Sequence, residues 1–315
     1  WSLRFGTNLV DLAEDYATAD YGSRQLLSAA ESSIRKQALF AAAELPLAAG
    51  RLELGLRRDL QRYLSSRMET AGPPAVATSG GGVVKSATSP KLAFAWPLGR
   101  HRLRAGVGTG FSPPAASQLY NGYAGSGAVT LANPGLQPER STTADLSLAR
   151  GDDWNVTLFA TRWRDKIATR ILDYGTPVVQ QPQNVGEVRA DGFELQGRWP
   201  LVTGWSATAN YTQTRTRIVR DLADPALVGN ELPDMPRHKA NLTLAYEDAA
   251  FSARAKVRLV GRAYTDEANT VTDAQGYRWR KPGYAVLDLT ATWRRPDWEF
   301  TLALDNAFDQ DYLTG

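Results

Sequence analysis

The chain has 315 residues, of which 43% are hydrophobic and 22% charged, and it contains no cysteine. This composition excludes disulfide-stapled scaffolds and cysteine-ligated metals, and no stretch approaches the roughly 20 consecutive apolar residues of a membrane-spanning helix. Lys and Arg number 36 against 33 Asp and Glu, a net charge of +3, so the charge balance gives no support to a nucleic-acid partner.

In chain order, apolar and polar residues alternate in segment after segment. The first two hairpin arms, residues 2–17 and 32–45, alternate less cleanly than the rest. Between 193 and 199 the odd positions are Phe, Leu, Gly and Trp, and the even positions are Glu, Gln and Arg. Successive side chains of a strand point to opposite faces, so these segments are predicted to be two-faced strands. The pattern recurs at 205–211, 240–246, 251–259, 285–293 and 298–304.

Two kinds of break separate the strands. Short breaks lie at 46–50, 97–101, 150–153, 200–204, 247–250 and 294–297. Long breaks rich in Gly, Pro, Asn, Asp and Ser, which favour turns and irregular backbone, lie at 68–90, 110–140, 170–188, 219–236 and 264–282. The chain is therefore predicted to form consecutive hairpins of about thirteen strands, tight at one end and long-looped at the other.

Strand length and tryptophan placement bear on the surroundings of the sheet. Several runs reach ten residues, whereas soluble strands average about five or six and a tilted strand crosses a bilayer in roughly 9–11. Periodicity alone fits either a soluble sandwich or an outer-membrane barrel with an apolar outside and a wet lumen. Aromatic side chains favour the membrane–water boundary, and their recurrence favours a barrel girdle. Six of the nine Trp abut short breaks: Trp96, Trp154, Trp199, Trp205, Trp293 and Trp298.

The sequence offers no catalytic constellation. The two histidines, His101 and His238, have no histidine partner at metal-ligand spacing, and a nucleophilic triad would depend on one of them. We therefore expect no catalytic residue, no metal site and no cofactor. Acidic loop residues could bind calcium, although solvated loop charge is the simpler interpretation; they are Asp221, Asp224, Asp266 and Glu267.

Ligand-binding candidates lie on the predicted polar face and in the long loops. Arg254, Lys256 and Arg258 occupy alternate positions, and such a stripe repels itself unless carboxylates or an anionic ligand neutralise it. Arg215 and Arg217 of the preceding hairpin are expected to point to the same polar face. Loop tyrosines offer area and a hydrogen bond at low entropic cost; the candidates are Tyr120, Tyr123, Tyr174, Tyr264 and Tyr277.

Five segments, in order, resemble the barrel of TonB-dependent outer-membrane receptors. The most specific, at 133–141, reads NPGLQPERS and is similar to that family's NPxLxPE stretch. The others are GFSPP at 110–114 with QLY at 118–120, NVG at 184–186 with GFE at 192–194, PDMPRHK at 233–239, and DNAFDQDY at 305–312.

The resemblance implies an all-β, antiparallel transmembrane β-barrel with short periplasmic turns and long extracellular loops. The family's barrel has 22 strands preceded by a globular plug. Residues 1–315 are accordingly expected to be a partial barrel of about 13 strands, with the N-terminal plug, the early strands and the final strand absent from this chain.

The function that the resemblance implies is active transport in the outer membrane of a Gram-negative bacterium. The expected ligand is a metal chelate, a ferric siderophore, with energy delivered by the partner TonB through the N-terminal region, and with outer-membrane lipids around the barrel. Cobalamin or haem remain alternatives within the family, and an outer-membrane barrel enzyme remains an alternative outside it. A soluble β-propeller binding protein is a further alternative, because repeats near fifty residues occur there.

Overall fold

The computed structural model describes residues 2–19, 26–70, 76–120, 122–125, 128–272 and 274–312. Strands dominate, and no helix in these ranges is long and apolar enough to cross a membrane. The helical elements are α1 (Ala116–Tyr120) and a single 3-10 turn (Pro225–Leu227). The strands are β1 (Ser2–Ala19), β2 (Leu26–Leu47), β3 (Gly50–Thr70), β4 (Val76–Gly80), β5 (Val84–Leu98), β6 (His101–Ser112), β7 (Tyr123–Gly125), β8 (Ala128–Thr130), β9 (Glu139–Arg150), β10 (Trp154–Asp173), β11 (Val178–Pro200), β12 (Trp205–Asp221), β13 (His238–Glu247), β14 (Phe251–Val260), β15 (Ala263–Tyr264), β16 (Arg280–Lys281), β17 (Tyr284–Arg295) and β18 (Trp298–Leu304).

One antiparallel sheet carries the fold. Within the described ranges it has sixteen strands, thirteen of them on a single path in the order β1-β2-β3-β5-β6-β9-β10-β11-β12-β13-β14-β17-β18. Strands β4, β7 and β8 attach to the sides of this path, and β15 and β16 form a separate ribbon. The thirteen-strand path confirms the predicted strand number. A continuous sheet of this kind also excludes a propeller, which divides into four-stranded blades.

The register of the strands places one apolar face and one polar face on this sheet. Leu54 is paired with Ala43 on one side and Leu92 on the other, and such rows recur across the sheet. On the apolar face Leu242 is 50% exposed and Leu302 is 63% exposed, so no protein core covers it. This placement confirms the predicted two-faced strands.

The polar face carries hydrogen-bonded cross-strand pairs. Arg104 Nη1 donates to Asp145 Oδ2 at 2.9 Å, and the hydroxyls of Ser147 and Thr157 lie 2.9 Å apart. Thr292 bonds its cross-strand neighbour in the same way. Such pairs stabilise a sheet locally. Their polar side chains also make this face compatible with contact with water, as the lining of an aqueous bore must be.

The aromatic girdle follows the short turns as predicted. All six short breaks are tight connections at one end of the sheet. Trp293 and Trp298 flank one turn with ring centroids 5.2 Å apart. The ring centroids of Trp205 on β12 and Tyr246 on β13 are also 5.2 Å apart. Gly204 has a φ of +81°, and a Cβ there would meet the Tyr246 ring at 2.7 Å. The turn therefore requires glycine for both conformation and space.

The long-loop end departs from the sequence prediction at two hairpins. Residues 68–90 were expected to form a loop, but β4 (Val76–Gly80) and the start of β5 at Val84 lie within them. Residues 170–188 were expected to form a loop, but β10 continues to Asp173 and β11 resumes at Val178. The expectation is wrong because these strands continue past the amphipathic region, where strand pairing persists without apolar alternation. At 178–180 the outer end of β11 also pairs in parallel with β8.

Two small apolar clusters fill the polar side of the sheet near the long loops. One joins α1 to the inner surface of β2 and β3, and the other covers β11 and β12. The first consists of Ile34, Tyr63, Ala116, Leu119, Tyr120 and Leu136. The second consists of Val188, Ile218 and Leu227. These two clusters therefore pack the long loops against the polar face of the sheet.

Candidate functional site

The cationic stripe of β14 lies on the polar face, as the alternation predicts. Arg254 and Lys256 are exposed, and Arg258 is half-buried. Lys256 is the direct cross-strand partner of Asp288 on β17, and Arg258 Nη2 lies 4.0 Å from Asp288 Oδ2. In the described part of the chain, Asp288 is the one carboxylate beside these three cations, so the stripe keeps an excess of positive charge.

The sequence alone does not indicate Asp288, because its partners come from two separate segments, β14 and the residues after β18. Its Oδ1 accepts a hydrogen bond of 3.0 Å from the backbone N–H of Asn306, in the DNAFDQDY segment. Arg258 also lies 5.9 Å from the ring centroid of Tyr312. The DNAFDQDY segment therefore borders the stripe and contacts both Asp288 and Arg258.

Arg215 and Arg217 do not join the stripe, and that expectation is wrong. Both follow Tyr211 at even intervals along β12 without an intervening bulge, so they lie on the apolar face. Residues 216 and 218, between and after them, are 3% exposed and face the inner side. Strand parity alone predicts this placement, because Tyr211 belongs to the apolar positions of the 205–211 alternation.

Tyr120 is a buried member of the apolar cluster around α1, which we call the loop core. Its side chain is 9% exposed, and its hydroxyl accepts a 3.0 Å hydrogen bond from the backbone N–H of Val83. Its ring meets Tyr63 edge-on at 6.3 Å. In this structure the residue packs α1 against β3, because its ring and hydroxyl are already engaged.

The other loop tyrosines have different surroundings. Tyr174 is 82% exposed at the turn between β10 and β11, and Tyr277 is 70% exposed. Tyr264 is half-buried in the β15–β16 ribbon, where its backbone carbonyl accepts from the N–H of Asp234 at 2.8 Å. Tyr123 lies in β7, and its side chain is outside the described part of the structure.

The NPGLQPE segment (133–139) is hydrogen-bonded to Asn184 of β11, and we call this contact the latch. The latch holds the loop before β9 to the strands. The backbone N–H of Gln137 donates to Asn184 Oδ1 at 2.8 Å, and Asn184 Nδ2 donates back to the Gln137 carbonyl at 2.9 Å. Asn184 Nδ2 also reaches the carbonyl of Asp165 at 2.7 Å. Glu139 Oε1 accepts from the Ile167 N–H at 2.7 Å. Two of the segments that resemble the family, NPGLQPE and NVG, are thus reciprocal halves of one contact.

A buried ion-pair network ties a further loop to β10. Arg170 Nη1 donates to Glu267 Oε2 at 2.7 Å, and its Nη2 bonds Asp221. The side chain of Asp221 is 2% exposed and that of Arg170 15%. Asp221 Oδ1 also accepts from the N–H groups of Ala223 and Asp224. The network joins β10, the end of β12 and the loop after β15.

The same two loops are joined by paired amides. The Glu231 N–H donates to Asn269 Oδ1 at 2.7 Å, and Asn269 Nδ2 donates to the Glu231 carbonyl at 2.9 Å. The carboxylate of Glu231 accepts two hydrogen bonds from Arg237 and thereby raises the pKa of the Arg237 guanidinium. The loops therefore form one cross-braced unit over the end of the barrel wall.

These contacts answer the question of the acidic loop residues. Asp221 and Glu267 face Arg170, and Asp266 Oδ1 accepts from the Thr270 N–H at 2.9 Å. Across the residues that the structure describes, no group of three acidic or histidine ligands is positioned to hold a metal ion. The side chain of His238 is bonded to the Tyr211 hydroxyl at 2.8 Å, on the apolar face.

Known proteins resemble this chain along most of its length. A family-wide sequence profile described as TonB dependent receptor-like, beta-barrel matches residues 1–307. The pesticin receptor of Yersinia pestis is 28% identical over 208 residues, which are 63% of this chain and 29% of that protein. The iron-regulated outer membrane virulence protein of Vibrio cholerae serotype O1 is 24% identical over 242 residues, which are 71% of this chain and 36% of that protein.

Solved structures share the fold. The ferric yersiniabactin uptake receptor FyuA from Yersinia pestis gives a TM-score of 0.75 at 20% identity, over 98% of this chain and 46% of that chain. The ferric citrate transporter FecA in its unliganded form gives a TM-score of 0.73 at 19% identity, over 98% of this chain and 47% of that chain. The chain therefore spans less than half the length of these relatives.

The match assigns an environment to each part of the sheet. In outer-membrane barrels the apolar face contacts lipid, the polar face lines the lumen, short turns face the periplasm and long loops face outward. The short turns, the girdle and the exposed leucines of this sheet follow that arrangement. The chain belongs to the family of TonB-dependent receptors, transport receptors whose β-barrels lie in the outer membrane of Gram-negative bacteria.

Proposed function

We propose that this barrel segment is part of a receptor that imports a ferric siderophore, with energy delivered through TonB. The observation that carries the proposal is the bore-facing stripe Arg254, Lys256 and Arg258, which only Asp288 offsets within the described residues. Ferric siderophores present carboxylate or phenolate oxygens and many are anionic, so a positively charged wall is complementary to them.

The names of the relatives support an iron chelate as ligand. FyuA is described as a ferric yersiniabactin uptake receptor and FecA as a ferric citrate transporter. A relative from Acinetobacter baumannii, 24% identical over 239 residues, is named a probable TonB-dependent siderophore receptor, PiuA. Since this chain covers less than half of FyuA and FecA, we propose that the plug and the TonB-contacting segment belong to the rest of a longer receptor.

The candidate residues have two different tasks in this proposal. Tyr174 is exposed at the outer tip of β10 and β11, so it meets the ligand first, with Tyr264 on the neighbouring ribbon. The stripe lies three to seven residues above the start of β14, within the bore, so it contacts the anionic chelate during passage. Tyr120 is assigned to loop packing because of its buried contacts.

The test uses the full-length receptor in cells starved of iron. Ferric siderophores, cobalamin and haem are offered separately, and binding at the surface is measured apart from uptake. We expect Tyr174→Ala to weaken surface binding, and Arg254→Gln with Lys256→Gln to slow uptake by about tenfold at unchanged surface binding. Arg58→Gln, which removes one cation from the lipid-facing side of β3, is the matched control and is expected to leave both unchanged.

Two further outcomes decide the proposal. Loss of TonB is expected to abolish uptake while surface binding persists. Uptake of cobalamin or haem in place of ferric siderophores would contradict the ligand assignment, and uptake that continues without TonB would contradict the energy source.

A further inference from the structure

Six arginines form a patch on the lipid-facing side of four adjacent strands. They lie on β9, β10, β11 and β12 and all are exposed. We call them the arginine patch: Arg140, Arg162, Arg164, Arg189, Arg215 and Arg217. The patch has no part in the bore or in the loop unit described above.

Strand parity fixes the face on which the patch lies. Arg162 and Arg164 follow Leu158 at even intervals along β10, and Leu158 is 53% exposed on the apolar face. Arg189 precedes Phe193 by four residues, and Phe193 is the direct partner of Leu158. No bulge interrupts the ladders between these positions.

The depth of the patch follows from the short periplasmic turns. Each of the six arginines lies eight to twelve residues from the turn-side end of its own strand. A tilted strand crosses the hydrocarbon in roughly 9–11 residues. The patch therefore lies at the outer boundary of the membrane, at the level of the lipid head groups.

The register sets like charges directly against one another. Arg189 is the Cα partner of Arg162 on one side and of Arg217 on the other, so three guanidinium groups share one cross-strand row. Arg164 is the direct partner of Arg140 in the next row. Like charges directly opposite in a sheet are destabilising, and an anion placed between them relieves that repulsion.

Two carboxylates offset part of this charge. Arg162 donates two hydrogen bonds to Glu187, of 2.5 and 2.7 Å, and Arg189 lies 3.5 Å from Asp191. Within the described residues the other four arginines have no carboxylate oxygen within the 4.0 Å of an ion pair. Glu187 is also the direct cross-strand partner of Arg164, and Asp191 is that of Arg215. Two carboxylates therefore serve six arginines, and the patch keeps an excess of four positive charges.

We propose that the arginine patch binds the phosphate groups of the glycolipid of the outer leaflet, lipopolysaccharide. The guanidinium fork matches phosphate oxygens in two-point contacts, and the adjoining Leu158 and Phe193 offer an apolar wall to the acyl chains. A lipid anchored in the same leaflet presents its phosphates at the height of the patch. A soluble anion has no such anchor, which is why the assignment is to lipid-borne phosphate.

The test measures lipid binding to the purified full-length receptor in detergent by native mass spectrometry. The probes are bis-phosphorylated lipid A, dephosphorylated lipid A and inorganic phosphate. We expect bis-phosphorylated lipid A to bind most tightly and Arg164→Gln with Arg217→Gln to weaken that binding by about tenfold or more, the loss of two charge-assisted contacts. Arg164→Lys with Arg217→Lys is expected to retain part of the affinity, because charge remains while the fork is lost.

Controls separate this site from general effects on the barrel. Arg58→Gln removes a cation from the same face of β3, where its guanidinium bonds the hydroxyls of Thr88 and Ser86, and is expected to leave lipid A binding unchanged. Resistance of each variant to unfolding by dodecyl sulfate at room temperature checks the fold. Equal affinity for dephosphorylated lipid A, or an unaffected glutamine double variant, would overturn the proposal. Displacement by inorganic phosphate as effective as by lipid A would also overturn it, since the site would then serve a soluble anion.

Discussion

Replacing Asn184 with alanine removes three hydrogen bonds from the latch between the NPGLQPE segment and the strand wall. The bonds link Asn184 to the N–H and carbonyl of Gln137 and to the carbonyl of Asp165, at 2.8, 2.9 and 2.7 Å. A net hydrogen bond contributes about 0.5–1.5 kcal/mol, and these are partly solvent-exposed, so we expect a loss of about 2 kcal/mol. That free energy corresponds to about a 30-fold change in the local opening equilibrium.

Hydrogen exchange of the full-length receptor in lipid measures this opening. The N–H of Gln137 reports directly, because its acceptor is the deleted side chain, and exchange in the peptide covering 131–138 is expected to accelerate by about 30-fold. Asn155→Ala is the matched control, since the Asn155 amide makes one long bond of 3.4 Å to Thr157 near the periplasmic end. Acceleration below about threefold, or equal acceleration in both variants, would refute the assignment of Asn184 as the latch.

Three further changes test the loop core, the lipid-facing wall and a periplasmic turn. Leu136→Ala empties a site that is 1% exposed and is expected to cost the loop core about 2–4 kcal/mol, measured by exchange of α1. Leu242→Arg is expected to cost about 2–4 kcal/mol in refolding into vesicles, whereas Thr243→Glu, a charge that faces the bore directly opposite Lys256, changes refolding little. In the turn after β13, the Tyr246 hydroxyl and then two backbone N–H groups lower the pKa of Asp248. Its stabilising effect is therefore present above the unfolded-state pKa and disappears as the pH falls through the lower folded value, a pH dependence that Asp248→Asn is expected to lack in acid-unfolding titrations.

The strand architecture was predictable because it rests on local alternation. Thirteen strands, six short turns and the tryptophan girdle all follow from residues close together in the chain, and the structure confirms them. The sequence also identifies the segments that resemble the family, but it does not show which contacts these segments make. That Asn184 bonds Gln137, 47 residues away, is a consequence of folding that no local pattern contains.

The errors have physical causes of the same kind. The interval 170–188 was read as a loop because its polar residues break the apolar alternation, yet strand pairing beyond the membrane needs no apolar face. Arg215 and Arg217 were assigned to the bore from their charge, although parity places them on the lipid-facing side. The Arg170 network depends on contacts with Asp221 and Glu267, 51 and 97 residues away.

The most direct test of the account labels adjacent positions on one strand, since the chain has no cysteine of its own. Leu242→Cys and Thr243→Cys lie on opposite faces of β13 and are each given a nitroxide label in the full-length receptor reconstituted in lipid. We expect the label at 242 to be relaxed by oxygen dissolved in hydrocarbon, and the label at 243 by a water-soluble paramagnetic complex. The account predicts leucines that contact lipid and a polar face that lines an aqueous bore. It would be contradicted if the two labels showed the reverse pattern, or if both labels were relaxed by oxygen in the hydrocarbon.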